Sequence, residues 1–251
     1  MATGPYDIAI IGAGIIGLST ARFMTKDFPR LKIAVLEKES HIAQHQTGHN
    51  SGVIHSGIYY KSGSHKAQFC VAGVEAMKRY CREKGVPIDE CGKVIVATNT
   101  DQFESLEQLY KRGVDNGVPN LKIIGPGELR EIEPHVLGMK AIHAPHTAIV
   151  SFERVSAEYA KDIKDFGGNI LLGHKVIDIT TIGNTLSIET SKGIIQAKYI
   201  INCGGLYADK IADMLGQSSQ IRIVPFRGEY FILGSSSKHF VRGLIYPVPD
   251  P

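Results

Sequence analysis

Three glycines and an acid carry the first legible chemistry of this chain: Gly12, Gly14 and Gly17, with Glu37 following 20 residues after the last. The glycines lie in Asp7-Ile-Ala-Ile-Ile-Gly12-Ala-Gly14-Ile-Ile-Gly17, and Glu37 closes a second apolar run ending Leu36-Glu37. That spacing suits a pyrophosphate. The first glycine permits a tight turn, the second lets backbone approach the phosphates, and the third lets a helix pack close to the strand before it. The helix N-terminus then offers free N–H groups and the positive end of its dipole. Glu37 is placed to accept the ribose hydroxyls of a dinucleotide, and an acid there disfavours the 2′-phosphate of NADP. Lys38 beside it joins the cofactor-binding candidates.

A second chemical segment is His45-Gln-Thr47-Gly48-His49-Asn50-Ser51-Gly52-Val-Ile-His55-Ser-Gly-Ile-Tyr59-Tyr60. Thr47, Asn50 and Ser51 can donate to phosphate or sugar oxygens, and Gly48 and Gly52 permit close backbone approach. The bland alternative is a polar surface loop built from turn residues. His45 and His49 stand four apart, as zinc-binding pairs do, but Gln46, Thr47 and Gly48 between them make a poor helix. No metal is expected.

These residues must be held by regular elements. Ile8–Ile11 is short and apolar, as a buried parallel strand requires. A helix follows over about 14–24, then a strand over 32–36, then a long polar stretch from 38 to 63. Ser64 caps a helix with Ala67, Cys70, Val71, Val74, Met77 and Cys81 on one face, and Gly85 stops it. Further on, a strand over 93–98, a helix over 101–116, a short helix closed by Pro134 and strands over 139–144 and 148–152 are expected. A helix over 153–166 and a strand over 169–172 restore the βα order. Runs at 175–181, 185–189 and 193–196 form an antiparallel meander. A separate strand over 199–203 then ends in Gly204-Gly205, where backbone again approaches something closely, before a helix over 208–215. Two interleaved modules result. The nucleotide module takes residues 1–85 and 150–218, and the second takes 86–149 and 219–251.

With 251 residues, 43% hydrophobic and 21% charged, the chain can bury a sizeable core. A net charge of +3 points to no nucleic acid, and is compatible with an anionic substrate. No apolar run reaches the roughly 18 residues of a membrane span. Four cysteines with neither zinc nor disulfide-framework spacing fit a reduced, intracellular setting. No targeting segment is recognised at the N-terminus. The turn-rich ending Tyr246-Pro-Val-Pro-Asp-Pro251 gives the expectation of a truncated chain.

Simple NAD dehydrogenases continue βαβαβ through the half-sheet; here a polar loop, an inserted module and a meander intervene. That order resembles the D-amino-acid-oxidase-type FAD superfamily. The His45–Tyr60 segment resembles more narrowly the L-2-hydroxyglutarate dehydrogenase family, as do Leu36-Glu-Lys-Glu, Lys66-Ala-Gln-Phe-Cys70, Cys91-Gly-Lys93, Pro225-Phe-Arg227-Gly-Glu-Tyr-Phe and Tyr246-Pro-Val-Pro-Asp. The resemblance covers essentially the whole chain.

It implies an α/β (α+β mixed) fold, with a Rossmann-like FAD-binding domain of the glutathione-reductase/D-amino-acid-oxidase type and an interleaved mixed-sheet substrate domain. It implies FAD as cofactor, with Thr47–Gly52 along the pyrophosphate and ribityl chain, Val176 by the adenine, and Gly204 and Gly205 also against the cofactor. His55 is implied near the isoalloxazine, as general base or as a group that only positions the flavin, the other source of a base being the family's C-terminal part that this chain is expected to lack. Arg227, at an expected strand start in the second module, could hold a carboxylate bidentately or pair with Glu229. Tyr60 is a substrate-entrance candidate, with packing as its alternative. The implied reaction is oxidation of L-2-hydroxyglutarate to 2-oxoglutarate, with electrons passing to a quinone, an electron-transfer protein or oxygen. Relatives work in mitochondria or at the inner face of bacterial membranes, so peripheral membrane association is compatible, as is a bacterial cytoplasmic setting. The rival readings are an inactive nucleotide-binding fragment or isoform, an NAD-dependent dehydrogenase, and a same-superfamily enzyme acting on another hydroxy acid, glycerol-3-phosphate or an amino acid.

Overall fold

The computed structural model describes residues 5–216 and 221–249. In chain order the first elements are β1 (Tyr6–Ile11), α1 (Ile15–Asp27), β2 (Ile33–Glu37), β3 (Val53–Ile54), α2 (His65–Lys84), β4 (Ile88–Asp89) and β5 (Lys93–Ala97). Then come α3 (Phe103–Asp115), β6 (Lys122–Ile124), α4 (Pro126–Ile132), β7 (Lys140–Ala144), β8 (Ala148–Val150) and α5 (Phe152–Asp165). The last are β9 (Asn169–Leu172), β10 (Val176–Ile182), β11 (Thr185–Thr190), β12 (Gly193–Asn202), α6 (Ala208–Met214) and β13 (Leu244–Pro247).

These elements form two compact units, Met1–Asn50 with Ser151–Gly228, and Ser51–Val150 with Glu229–Pro251. The first cut falls after residue 50 rather than after 85, so residues 51–85 leave the nucleotide module. The reason is pairing: β3 joins β8, and α2 packs beside β4, both in the second unit. The cut expected after 218 lies outside the described residues.

The first unit is built on a six-stranded sheet of order β10-β11-β12-β1-β2-β9. Strands β12, β1, β2 and β9 run parallel, and β10 and β11 add antiparallel. The apolar runs of β1 and β2 are buried along almost their whole length, as central strands covered on both faces must be. Helices α1 and α5 pack on each other, joined by Arg22 Nε to Asp162 Oδ2 at 2.6 Å. One expectation fails here. The strands over 193–196 and 199–203 are a single strand, β12, in which Ala197 pairs with Leu186 of the meander and with Tyr6 of the parallel core. Alternation reads through Lys198 without a turn residue, so nothing breaks the strand.

The second unit carries a four-stranded sheet of order β13-β5-β7-β6 and a small β3-β8-β4 sheet. Strand β13 is parallel to β5, and the other pairs are antiparallel. Ser64 caps α2 by accepting the Ala67 N–H at 3.3 Å, and Gly85 ends it with φ 66°. The expected strand start at Pro225–Phe231 is absent: residues 221–234 are irregular and largely exposed.

Candidate cofactor site

The first unit holds a cavity of about 470 Å³ at the carboxyl ends of β1, β2 and β12, the edge where open parallel sheets bind ligands. Its glycines are demanded by geometry. Gly12 has φ 109°, and a Cβ there would collide with the Cys203 carbonyl at the end of β12. A Cβ on Gly17 would run into the Gly12 carbonyl. A Cβ on Gly14 would sit 3.3 Å from Thr47 Oγ1.

Thr47 takes the place of a cap on α1, whose own N-cap, Gly14, has no side chain. Its hydroxyl accepts the Ile15 N–H at 3.0 Å, leaving its proton to donate outward. The helical ladder begins with Leu18 N–H to the Gly14 carbonyl. The N–H groups ahead of Leu18 have no carbonyl one turn back, and they give this end its anion affinity.

Glu37 is pinned across the turn. Its Oε2 accepts the Ala13 N–H at 2.7 Å and its Oε1 accepts the Glu39 N–H at 2.9 Å. Each carboxylate oxygen keeps capacity for a ribose hydroxyl. Lys38 Nζ reaches Glu39 Oε1 at 2.7 Å and stands 4.7 Å from the centre of the Tyr207 ring, which Lys210 also approaches at 5.5 Å. His45 Nε2 lies 2.9 Å from the same Glu39 oxygen, and the hydrogen bonds from Lys38 and His45 hold the Glu39 carboxyl below its ordinary pKa.

On the far wall, Val176 lines the cavity with His174 and Lys175, beside the apolar side chains of Leu36, Ile211 and Met214. His174 Nδ1 lies 3.0 Å from the Leu172 carbonyl, which can only accept, so the neutral ring carries its proton there. Gly204 and Gly205 also line the cavity. A Cβ on Gly204 would strike Ile211, and Gly205 has φ 57°.

The structure therefore brings Gly12, Gly14, Glu37, Lys38, Thr47, Val176, Gly204 and Gly205 to one cavity, with Gly17 beneath it. Gly48 and Asn50 belong to the same unit but not to the lining. A Cβ on Gly48 would lie 2.5 Å from the Ala43 carbonyl, a local reason for glycine. Asn50 Nδ2 donates to the Gln46 and Thr47 carbonyls at 2.9 and 2.7 Å. Ser51 and Gly52 fall in the second unit, where Gly52, at φ 70°, would place a Cβ 2.7 Å from the Val150 carbonyl.

Sequence reasoning missed Glu39, His45, His174, Lys175, Tyr207 and Lys210 as lining residues. Tyr207 and Lys210 had a signal, since they follow directly on Gly204-Gly205. His174 had none. Among the described residues no three His, Cys, Asp or Glu side chains converge as a metal site, and no helix is long and apolar enough to cross a membrane.

The other expected site residues are placed separately. Within the second unit, His55 keeps exposed surface, while burial of its ring and the charge of Lys93 lower its pKa. Tyr60 is half-buried, and its carbonyl accepts from Asn116 Nδ2 at 2.9 Å. Arg227 is exposed in the irregular stretch, within the span of the first unit, which corrects its expected place at a strand start in the second.

Comparison with known proteins agrees with this architecture. The description "FAD dependent oxidoreductase" (DAO) matches residues 7–251. The chain belongs to this FAD dependent oxidoreductase family. FAD is the family's cofactor, and the pocket's donor set fits its dinucleotide part: helix end and Thr47 for pyrophosphate, Glu37 for ribose, an apolar wall for the base. The chain is 45% identical over 247 residues to the L-2-hydroxyglutarate dehydrogenase of Indibacter alkaliphilus, covering 98% of this chain and 62% of that protein. It is 43% identical over 260 residues to the mitochondrial L-2-hydroxyglutarate dehydrogenase of Homo sapiens, covering 99% and 56%. The chain thus spans about three fifths of the length of these relatives. Among solved structures, the dithionite-reduced, FAD-bound L-alpha-glycerophosphate oxidase of Mycoplasma pneumoniae superposes with TM-score 0.82 at 23% identity, over 98% of this chain and 66% of that one. That likeness is one of fold.

Proposed function

We propose that this protein oxidises L-2-hydroxyglutarate to 2-oxoglutarate, with FAD bound in the cavity of the first unit. One observation carries the reading: relatives named for this activity match 98–99% of the chain at 43–45% identity. Bound FAD supplies the two-electron acceptor. The electrons then leave for a quinone, an electron-transfer protein or oxygen, and the mitochondrial names of the animal relatives support that compartment for a eukaryotic source.

The chain's own residues have three tasks. The cofactor is held by the α1 end, Thr47 and Glu37, as described. Oxidising a 2-hydroxy acid requires a base for the hydroxyl proton as the C2 hydrogen departs with its electron pair. His55 suits that task, because partial burial of its ring and the Lys93 charge lower its pKa and so favour the neutral, proton-accepting form. The substrate's two carboxylates need cationic partners, and the Arg227 guanidinium can meet one in a fork geometry. Tyr60 is placed at the entrance in this reading. Turnover with a dye acceptor tests it: L-2-hydroxyglutarate is expected to be oxidised, with the D-isomer, glycerol-3-phosphate and amino acids inert. Preference for any of those three would replace this reading.

A further inference from the structure

The second unit buries two lysines and treats them differently. Lys78, 3% exposed, is fully met: its Nζ lies 2.7 Å from Glu90 Oε2 and 2.9 Å from the His146 carbonyl. Lys93, 2% exposed at the start of β5, has no carboxylate or carbonyl partner among the described residues. Its ammonium stands 4.7 Å from the centre of the Tyr59 ring and 5.2 Å from that of Tyr246. The Tyr59 hydroxyl is also buried and has no hydrogen-bond partner among the described residues. An ammonium on a buried side chain, held only against ring faces, and a buried phenol without an acceptor are each costly. One ligand would satisfy both: an anion with oxygen acceptors. Cys70, whose Sγ lies 2.8 Å from the His55 carbonyl, ties the same place to the segment carrying His55.

We propose that Lys93 and Tyr59 form a carboxylate-binding subsite, with Tyr246 as its aromatic wall, that takes one carboxylate of the substrate. This rests on the functional reading above, and it supplies a cation for one carboxylate of a dicarboxylate. Tyr59 donates its O–H to one carboxylate oxygen, and Lys93 gives a charge-assisted bond to the same group. Burial explains the energetics. It holds Lys93 down at about 8 and pushes Tyr59 up to about 12, so Tyr59 stays a donor and Lys93 is charged at neutral pH. The groups facing them are His55, lowered, and Cys70 and Tyr246, both raised, which leaves Lys93 as the group titrating near pH 8.

The test is calorimetric binding of glutarate, a dicarboxylate with no hydroxyl to oxidise, to the FAD-loaded protein. Wild type is expected to bind at pH 7 and to weaken about fivefold from pH 8 to 9 as the ammonium titrating near 8 is lost. Lys93→Met is expected to weaken binding at least tenfold, whereas Lys93→Arg keeps it at both pH values. Tyr59→Phe should weaken it severalfold. Thermal unfolding without ligand adds a readout that a purely structural lysine would not give. Lys93→Met is expected to raise the midpoint, because it removes an uncompensated buried charge. Equal glutarate affinity in wild type and Lys93→Met, or no glutarate binding by wild type, overturns the subsite. The two proposals fail separately. Glutarate binding through Lys93 without oxidation of L-2-hydroxyglutarate upholds the subsite and removes the functional reading. Oxidation with an unchanged KM in Lys93→Met does the reverse.

Discussion

In the first unit an incoming anion meets the N–H groups of the α1 end, the Thr47 hydroxyl and lysines that still touch water. In the second it would meet the buried Lys93, whose ammonium is held only against the Tyr59 and Tyr246 rings, and the buried Tyr59 hydroxyl, which has no hydrogen-bond partner among the described residues. The first kind of site is made of backbone conformation. It exists as soon as β1, the turn and α1 form, and its cation-like character carries little desolvation cost. The second is made of side chains brought in by separate segments, and it is strained electrostatically until filled. A backbone site is therefore robust to side-chain changes and intolerant of added Cβ atoms. A buried side-chain site behaves the other way round.

The largest effect expected from this contrast is at Gly17. Gly17→Ala places a methyl against the Gly12 carbonyl, and overpacking of this kind should cost about 3 kcal/mol of stability and abolish FAD retention. Chemical denaturation and the flavin content of the purified protein would show it. Normal flavin content would mean the turn has slack that the structure does not show.

Next comes Glu37. Glu37→Ala removes a carboxylate that accepts two backbone N–H groups at 2.7 and 2.9 Å, and hydrogen bonds to charged groups contribute about 1.5–3 kcal/mol. Equilibrium dialysis should show FAD affinity falling by roughly ten- to a hundredfold, by the same relation. A smaller step is expected for Thr47→Val, which deletes the cap on α1, for about 1 kcal/mol of stability. Its affinity loss should be below that of Glu37→Ala, since N–H groups still face the phosphates.

The smallest effect links His55 to Lys93. Burial, then the Lys93 charge, lower the His55 pKa, so the acid limb of kcat/KM should lie below the ordinary imidazole value of about 6.5. Activity is lost as pH falls through that limb, because the base becomes protonated. Lys93→Met removes the lesser of the two causes and should move the limb upward. An unmoved limb would separate His55 from Lys93.

The same contrast explains what was legible in the sequence. Gly12, Gly14, Gly17 and Glu37 announce a pocket because their spacing constrains backbone, and backbone constraints are local. Thr47 was found as a donor, but its capping of α1 across 32 residues needed coordinates. Gly48 and Gly52 show the limit of reading by residue type. Their glycine character has a second cause in the Ala43 and Val150 carbonyls, which residue type alone does not reveal. The continuous β12 depends on tertiary pairing to both neighbours, which overrides local strand propensity, whereas residues 221–234 join no strand pair among the described residues. Lys93 drew no attention in Cys91-Gly-Lys93, because nothing adjacent in sequence reveals that it is buried between Tyr59 and Tyr246.

The most direct test of the central claim is the visible absorbance of the FAD-loaded protein under anaerobic conditions, recorded before and after each isomer of 2-hydroxyglutarate. The account expects bleaching of the flavin bands by the L-isomer and no change with the D-isomer. Bleaching by neither isomer, or by both alike, would contradict it.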